Sequence, residues 1–207
     1  MYPKPPIIIL LLLLFPVVLS SQQVFSLSGG ISIPKIIRIS SNPHLSVDAD
    51  FKNSFVISFD YNKYIGKHFG LGLQLDYINT ATDLVITTGG LGGGYYTDSA
   101  AYRFGFINIV VLPGFKWGNK VQFFLQTGPY YGILVHASND TRGHIQSPDV
   151  GLTGVFGLRV YITKQMGFVI KNTYNYSFIN KYRNAGDLKI FNIMLLGGLY
   201  YSLSGEH

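Results

Sequence analysis

A histidine and a serine stand two positions apart in the segment His136–Ala137–Ser138–Asn139. An adjacent imidazole can take the proton of a serine hydroxyl, which makes that hydroxyl a nucleophile for acyl transfer. Alternate residues of an extended chain lie about 7 Å apart on one face, close enough for His136 and Ser138 to meet. The pair also needs a third group that orients the imidazole, and Asp140 or Asp149 could serve. This segment is therefore the sharpest candidate for an enzymatic site.

The same four residues resemble the His-x-Ser-Asn element of outer-membrane lipid A deacylases, in which the histidine acts as base to the serine. Those enzymes use a glutamate as the third group, and the only glutamate here is Glu206, near the C-terminus. A short polar motif in a connecting segment often arises by chance. We therefore predict that the protein is not an enzyme, and we keep a deacylase-like hydrolase built on His136 and Ser138 as an alternative.

Four charged residues fall among small, neutral polar residues on alternating stretches of the chain: Asp60, Asp76, Arg159 and Lys171. If these stretches are strands, the four side chains lie on their polar faces. A buried charge without a partner is costly, so we expect acid–base pairing inside the protein. A gated polar path or a proton relay is the functional alternative, but ion-pair networks are commonly structural. We predict that the four residues form an interior polar network.

Other kinds of site lack some of their required parts. The glycine run at residues 89–94 has neither the Lys-Ser/Thr pair nor the helix start of a phosphate-binding loop. The histidines occupy different connections without a shared metal-ligand spacing, and the chain has no cysteine. Neither a basic run nor a basic patch interleaved with aromatic residues is present, as nucleic-acid binding would require. We predict no cofactor, no metal and no nucleic-acid partner.

The elements that position these residues are clearest in Val121–Val135, VQFFLQTGPYYGILV. Read with period two, one face is almost wholly apolar, and the other carries Gln, Gly and mixed residues. Composition indicates which face is outward, because only 13% of the residues are charged, against about a quarter in soluble globular proteins. The apolar face is therefore predicted to contact lipid. Only helices and closed barrels satisfy their backbone groups there.

The first 21 residues are predicted to be a cleaved signal peptide. Lys4 supplies a positive charge, Ile7–Phe15 is an apolar run, and the small residues Ser20 and Ser21 suit the peptidase. The apolar run is too short for a helix across a hydrocarbon core of about 30 Å, although an N-terminal anchor is the alternative. Residues 22–207 then form one barrel domain in a bacterial outer membrane.

The remaining sequence is predicted to form eight strands, each with the roughly 9–11 residues that a tilted strand needs to cross. They are Val24–Ile33 (ended by Pro34), Ser54–Ile65, Phe69–Tyr77 with an extension to Thr88, Tyr102–Trp117, Val121–Val135, Val150–Ile162, Gly167–Asn180 and Leu188–Leu203, with loops at Gly89–Ala100 and His136–Asp149. Pro34–Asn53 is a long connection in which residues 36–40 and 44–49 could extend the first hairpin beyond the membrane. The alternation slips in the fourth strand, and a bulge near Gly105 would reconcile it. Long and short connections alternate, as extracellular loops and periplasmic turns do in outer-membrane barrels. Both termini are therefore predicted to be periplasmic.

Basic and aromatic residues collect near the short turns. The lysines are predicted to meet anionic lipid headgroups, and the aromatic residues to form an interfacial girdle. The lysines are Lys63, Lys67, Lys116, Lys120 and Lys164, and the aromatic residues are Tyr61, Tyr64, Phe69, Phe115, Trp117, Tyr161, Phe168, Tyr200 and Tyr201. The expected partners are outer-membrane lipids and lipopolysaccharide, with other envelope proteins as a further class.

Two strand elements, Leu112–Pro113 and Gly128–Pro129–Tyr130, flank the turn at Gly118–Asn119–Lys120. They resemble the PorT-type outer-membrane β-barrel family of Bacteroidota, in which a Leu-Pro or Pro-Leu strand leads through a tight turn to a Gly-Pro-Tyr strand. The resemblance covers about Phe51 to Leu203 and implies an eight-stranded barrel without an assigned activity. One branch of that family takes part in secretion and gliding. We predict an all-β, eight-stranded antiparallel up-and-down transmembrane β-barrel of structural or interaction type, with a subunit of a secretion or envelope complex as alternative.

Overall fold

The part of the chain that the structure describes folds into eight antiparallel strands. The computed structural model describes residues 22–38, 45–89, 95–138, 147–179 and 188–203, so the proposed signal peptide lies outside the described residues. The strands are β1 (Gln22–Arg38), β2 (Leu45–Ile65), β3 (Phe69–Gly89), β4 (Tyr95–Trp117), β5 (Val121–Ala137), β6 (Asp149–Tyr161), β7 (Met166–Ser177) and β8 (Leu188–Ser202). Each strand pairs with the next, and β1 pairs with β8 to close a barrel. The predicted eight-stranded antiparallel barrel is confirmed. Among the described residues there is no helix of the length and hydropathy needed to cross a membrane.

The wall of the barrel is apolar on its outside. Along β5, exposed and buried residues alternate strictly from Val121 to Ile133. Leu125 is 52% exposed, whereas Gln126 beside it is 4% exposed. Exposed Leu, Ile, Val and Phe side chains occur on all eight strands. Since a folded chain in water would bury these side chains, their outward direction fits a hydrocarbon environment.

The first strand continues through a proline that was expected to end it. Pro34 lies within β1, which runs on to Arg38. Beyond the pair Ser32↔Ser54, the described residues of β1 pair with β8 alone. A residue without an N–H is tolerated where one side of a strand has no partner. The prediction that the strand stops at Pro34 is therefore wrong.

Two further strands begin earlier than the alternation predicted. β2 starts at Leu45 instead of Ser54, as the possible extension through residues 44–49 allowed, and its ladder with β3 shifts register between Lys52 and Phe55. β4 starts at Tyr95 instead of about Tyr102, within the segment predicted as a glycine-rich loop. In β4 the extra residues carry polar side chains at successive positions, as in TDSAAY, so period two is lost there, whereas residues 45–52 of β2 keep the alternation. β3 runs to Gly89, which confirms the extension predicted for it.

The β4–β5 ladder shifts register between Gly105 and Phe106, which confirms the bulge predicted near Gly105. The shift does not exchange the faces of β4, because Phe104 and Phe106 are buried while Ile107 is exposed. The connection predicted from His136 to Asp149 is shorter than expected. β5 extends to Ala137, and β6 starts at Asp149.

The same ladder has a gap without paired residues at two prolines, called the seam below. Paired residues are found at Val110↔Tyr130 and at Gly114↔Gln126, but not between them. Pro113 and Pro129 lie in this interval and have no N–H to donate to a ladder. A Cβ on Gly128 would lie 3.3 Å from Cδ of Pro113, so the glycine allows the two strands to stay close. The Leu-Pro and Gly-Pro-Tyr elements therefore meet across one pair of strands.

Candidate functional site

Polar side chains fill the middle of the barrel around one ion pair. Nζ of Lys171 donates to Oδ1 and Oδ2 of Asp60 at 2.6 and 2.7 Å. It also donates to Oγ of Ser58 at 2.9 Å, and Oγ of Ser26 donates to Asp60 at 2.7 Å. Lys171 is 2% exposed and Asp60 is 6% exposed. Both charges are thus enclosed and satisfied, which is the condition under which a buried ion pair persists.

A second carboxylate, that of Asp76, lies in the same interior as the ion pair. Asp76 is 1% exposed, and Nε2 of Gln74 on the same strand donates to both of its oxygens at 2.8 and 2.7 Å. Residues two apart on a strand share a face, which explains why Gln74 reaches Asp76. In the register Asp60 is opposite Gln74, and Ser58 is opposite Asp76. Asp60 and Asp76 therefore belong to one layer of interior polar residues.

The fourth predicted interior charge, Arg159, is held by aromatic rings. Its Nη1 donates to the hydroxyl of Tyr64 at 2.6 Å. Its guanidinium carbon lies 4.4 Å from the ring centroid of Phe124 and 5.6 Å from that of Tyr64. Arg159 is 1% exposed, and its Nε has no hydrogen-bond partner among the described residues. The acid–base pairing expected for it is thus replaced by a phenol and two ring faces, which attract a cation through the ring quadrupole.

A third interior cation, beside Arg159 and Lys171, was missed from the sequence. Lys116 is 2% exposed, its Nζ donates to Oε1 of Gln22, and it lies 4.6 Å from the ring centroid of Tyr64. Its predicted contact with lipid headgroups is therefore wrong. The alternation along β4 could have predicted that Lys116 points inward, because it follows the buried residues Leu112 and Gly114 at steps of two.

Three tyrosines assigned to the interfacial girdle also point inward, and this part of the prediction is wrong. Tyr64 is 1% exposed and Tyr200 is 2% exposed. Tyr161 is half-buried, packs edge-to-face on Tyr200 with centroids 5.0 Å apart, and accepts a hydrogen bond from Nε2 of Gln22 at 2.9 Å. The other six lie on the outer face or are half-buried: Tyr61, Phe69, Phe115, Trp117, Phe168 and Tyr201.

Asp149 forms a separate set of hydrogen bonds inside the barrel, at the end away from the short turns. The hydroxyl of Tyr130 donates to its Oδ2 at 3.1 Å, and Oγ of Ser177 donates to its Oδ1 at 2.5 Å. Asp149 is 2% exposed. It is therefore engaged away from the surface, and it does not serve as the orienting group of a hydrolytic triad.

The histidine and serine of the enzymatic hypothesis lie at the end of β5. His136 is exposed, Ser138 is half-buried, and the Ser138 N–H donates to the carbonyl of Arg103 at 3.0 Å. Asp140 and Glu206 lie outside the described residues. The deacylase hypothesis stays a prediction without support from a described third group. Lipid A that keeps all its acyl chains in overproducing cells would exclude it.

The short turns meet around an open depression of about 720 Å³. They join β2 to β3 at residues 66–68, β4 to β5 at 118–120 and β6 to β7 at 162–165. Gly66 and Gly118 adopt φ values of 68° and 95° in the first two turns, a region that glycine enters without strain. Three exposed lysines of the lining, Lys67, Lys120 and Lys164, give this end of the barrel a positive surface.

No group of three His, Cys, Asp or Glu side chains among the described residues could hold a metal ion. The enclosed interior instead offers fixed ionic and polar contacts between strands far apart in the sequence. Lys171 and Asp60, for example, are 111 positions apart. Such contacts specify how the strands fit together.

A family model and one of the solved structures compared agree with this architecture. The family model described as "Outer membrane protein beta-barrel domain" matches residues 21–205. The outer membrane protein OprG from Pseudomonas aeruginosa is similar in structure with a TM-score of 0.52, at 11% identity, over 89% of this chain and 97% of that chain. Ail of Yersinia pestis, in complex with the heparin analogue sucrose octasulfate, has a TM-score of 0.49 at 16% identity, over 87% of this chain and 98% of that chain. Neisserial surface protein A has a TM-score of 0.49 at 14% identity, over 87% of this chain and 96% of that chain. None of the curated proteins matches the sequence.

Proposed function

This chain belongs to the outer membrane protein β-barrel domain family, and we propose that it serves as a closed structural barrel that anchors an interaction surface in the outer membrane. The observation that carries the proposal is the filled interior. Arg159, Lys116 and Lys171 are among the largest fully buried side chains. An eight-stranded barrel is just wide enough for its side chains to fill the lumen. The barrel then acts as an anchor, and its ends and outer face make the contacts.

We expect the protein to conduct no ions. After reconstitution into a planar bilayer in concentrated KCl, it should give no stable current steps, because the interior cations and rings occupy the lumen. A porin in the same bilayer is the positive control. Large, long-lived steps that scale with the amount of protein would contradict the proposal and support the gated path considered from the sequence.

We further propose that the short turns and both termini face the periplasm. The long connections then face the outside, as in other barrels of this type. The extended ends of β1 to β4 support this orientation, because these strands have 17 to 23 residues, and about 9–11 suffice to cross. These ends would raise an interaction surface above the membrane.

The absence of cysteine allows a direct test of this orientation. In intact cells, a membrane-impermeant maleimide is expected to label Ser147→Cys, near the start of β6, and to leave Asn119→Cys, in a short turn, unlabelled. Both variants should react after lysis. The reverse pattern in intact cells would invert the proposed orientation.

The partners that we propose are outer-membrane lipids, lipopolysaccharide and other envelope proteins. The finer resemblance to PorT-type barrels of Bacteroidota rests on the two proline elements, which lie across the seam between β4 and β5. A subunit of a secretion or envelope complex is the alternative that this resemblance supports. Native mass measurement after mild detergent extraction separates a lone barrel from such a subunit, and the alternative fails if only the monomer is recovered.

A further inference from the structure

The depression between the short turns is lined by cations without a described carboxylate. These cations are Lys67, Lys120 and Lys164, and the ring of His68 also belongs to the lining. Each of the three connections contributes one lysine, so chain segments from β2 to β7 bring these charges to one place. Converging like charges repel one another, and a bound anion relieves the repulsion. The turns are thus arranged as an anion-binding surface.

Charge is distributed unevenly along the barrel. Among the described residues, the carboxylate nearest to a short turn along the chain is Asp60, which already pairs with Lys171. Asp149 lies inside the opposite end. Within the part of the chain that the structure describes, the positive potential of the three lysines is therefore not cancelled by a neighbouring acid at the same end.

Two buried cations lie behind the lining, and the charge of Arg159 adds to its potential. Tyr161 lines the depression and accepts a hydrogen bond from Gln22, which in turn accepts one from Lys116. Arg159 precedes Tyr161 by two residues on β6, and its partners are neutral rings and a phenol. Charges enclosed in a low-dielectric interior act over longer distances than exposed ones. The charge of Arg159 therefore strengthens the attraction for an anion at the mouth.

We propose that the three short turns form a binding site for a phosphate-bearing anion. The volume of about 720 Å³ lies within the range of about 300–1,000 Å³ that small-molecule sites occupy. Lysine ammonium groups bind phosphate as point charges on flexible stems, which suits a shallow open site. The phosphate can belong to the headgroup of an anionic phospholipid in the adjacent leaflet or to a small soluble phosphate compound.

The site is tested with the full chain in zwitterionic detergent. Inorganic pyrophosphate is titrated calorimetrically at low ionic strength, and native mass spectrometry measures how much added phosphatidylglycerol the protein retains relative to phosphatidylcholine. The site variant is Lys120→Gln/Lys164→Gln. The matched control is Lys35→Gln/Arg103→Gln, which removes the same charge from exposed residues near the opposite end. The β-sheet circular dichroism of both variants verifies the barrel.

We expect the site variant to bind the probe about tenfold more weakly and the control within about twofold of the wild type. If the site variant loses only pyrophosphate binding, the ligand is a soluble phosphate compound. If it loses only the retention of phosphatidylglycerol, the ligand is a lipid headgroup, and loss of both identifies a site that accepts either. The proposal is overturned if the wild type binds neither probe, or if the two variants weaken binding equally. Since the measurement is made in detergent, it does not depend on the proposed orientation or on the absence of conductance.

Discussion

Replacing Lys171 by methionine is expected to lower the free energy of unfolding by about 3–5 kcal/mol, because it leaves the Asp60 carboxylate buried without its cation. Methionine keeps much of the volume of the lysine stem, so the loss reports on the charge and not on a cavity. Urea titration in detergent micelles measures the effect. Trp117, the single tryptophan, lies on the outer wall stacked on Phe123 and gives the fluorescence signal.

A second substitution separates the cost of an orphaned charge from a general loss of packing. In Asp60→Asn/Lys171→Met both charges are absent, and we expect the double variant to recover about half of the loss or more. Lys35→Met, at an exposed position, is the matched control and should change stability by no more than about 0.5 kcal/mol. A loss below about 1 kcal/mol for Lys171→Met would show that the interior is hydrated, and the account of an enclosed network would then fail.

Replacing Leu125 by arginine is expected to lower the free energy of unfolding in phospholipid vesicles by about 2–4 kcal/mol. Leu125 is exposed on the outer face of β5, about 10 Å from the short-turn end along the barrel axis, as judged from the strand rise and tilt. There the guanidinium would enter hydrocarbon. The folded fraction after urea dilution into vesicles measures this loss.

A second substitution on the same strand and the same face tests whether the loss depends on the depth of the charge in the membrane. Val121, the first residue of β5, is also exposed, and Val121→Arg should lower the stability by at most about 1 kcal/mol because the charge can reach the headgroups. If both arginines had the same small effect, the outer face would not lie in hydrocarbon. The transmembrane assignment would then have to be abandoned.

The faces of the strands were predictable from the sequence because side chains alternate with a period of two. This periodicity placed Asp60, Asp76, Arg159 and Lys171 on the polar series, and all four are buried. The partner of each charge was not predictable. Parity fixes the face of a residue but not its height along the barrel, and Lys171 meets Asp60 across 111 positions of the chain.

The errors have two physical origins. Lys116 and Tyr64 were assigned from their closeness to a turn, although the buried residues before them show the same parity. The length of β4 is underestimated from the sequence because successive polar residues at 97–99 erase the alternation. Strand pairing still continues there, as the ladder from Thr82↔Tyr102 to Gly89↔Tyr95 shows. Backbone pairing and side-chain pattern are thus separate properties of this chain.

The closing ladder between β1 and β8 determines when the molecule can be complete. Its pairs run from Val24↔Ser202 to Arg38↔Leu188, so the first strand to be synthesised acquires its second neighbour only from the last. Until then, two rows of backbone donors and acceptors stay open, a state that hydrocarbon does not tolerate and that invites aggregation in water. The barrel can therefore close only after translation has delivered its final strand.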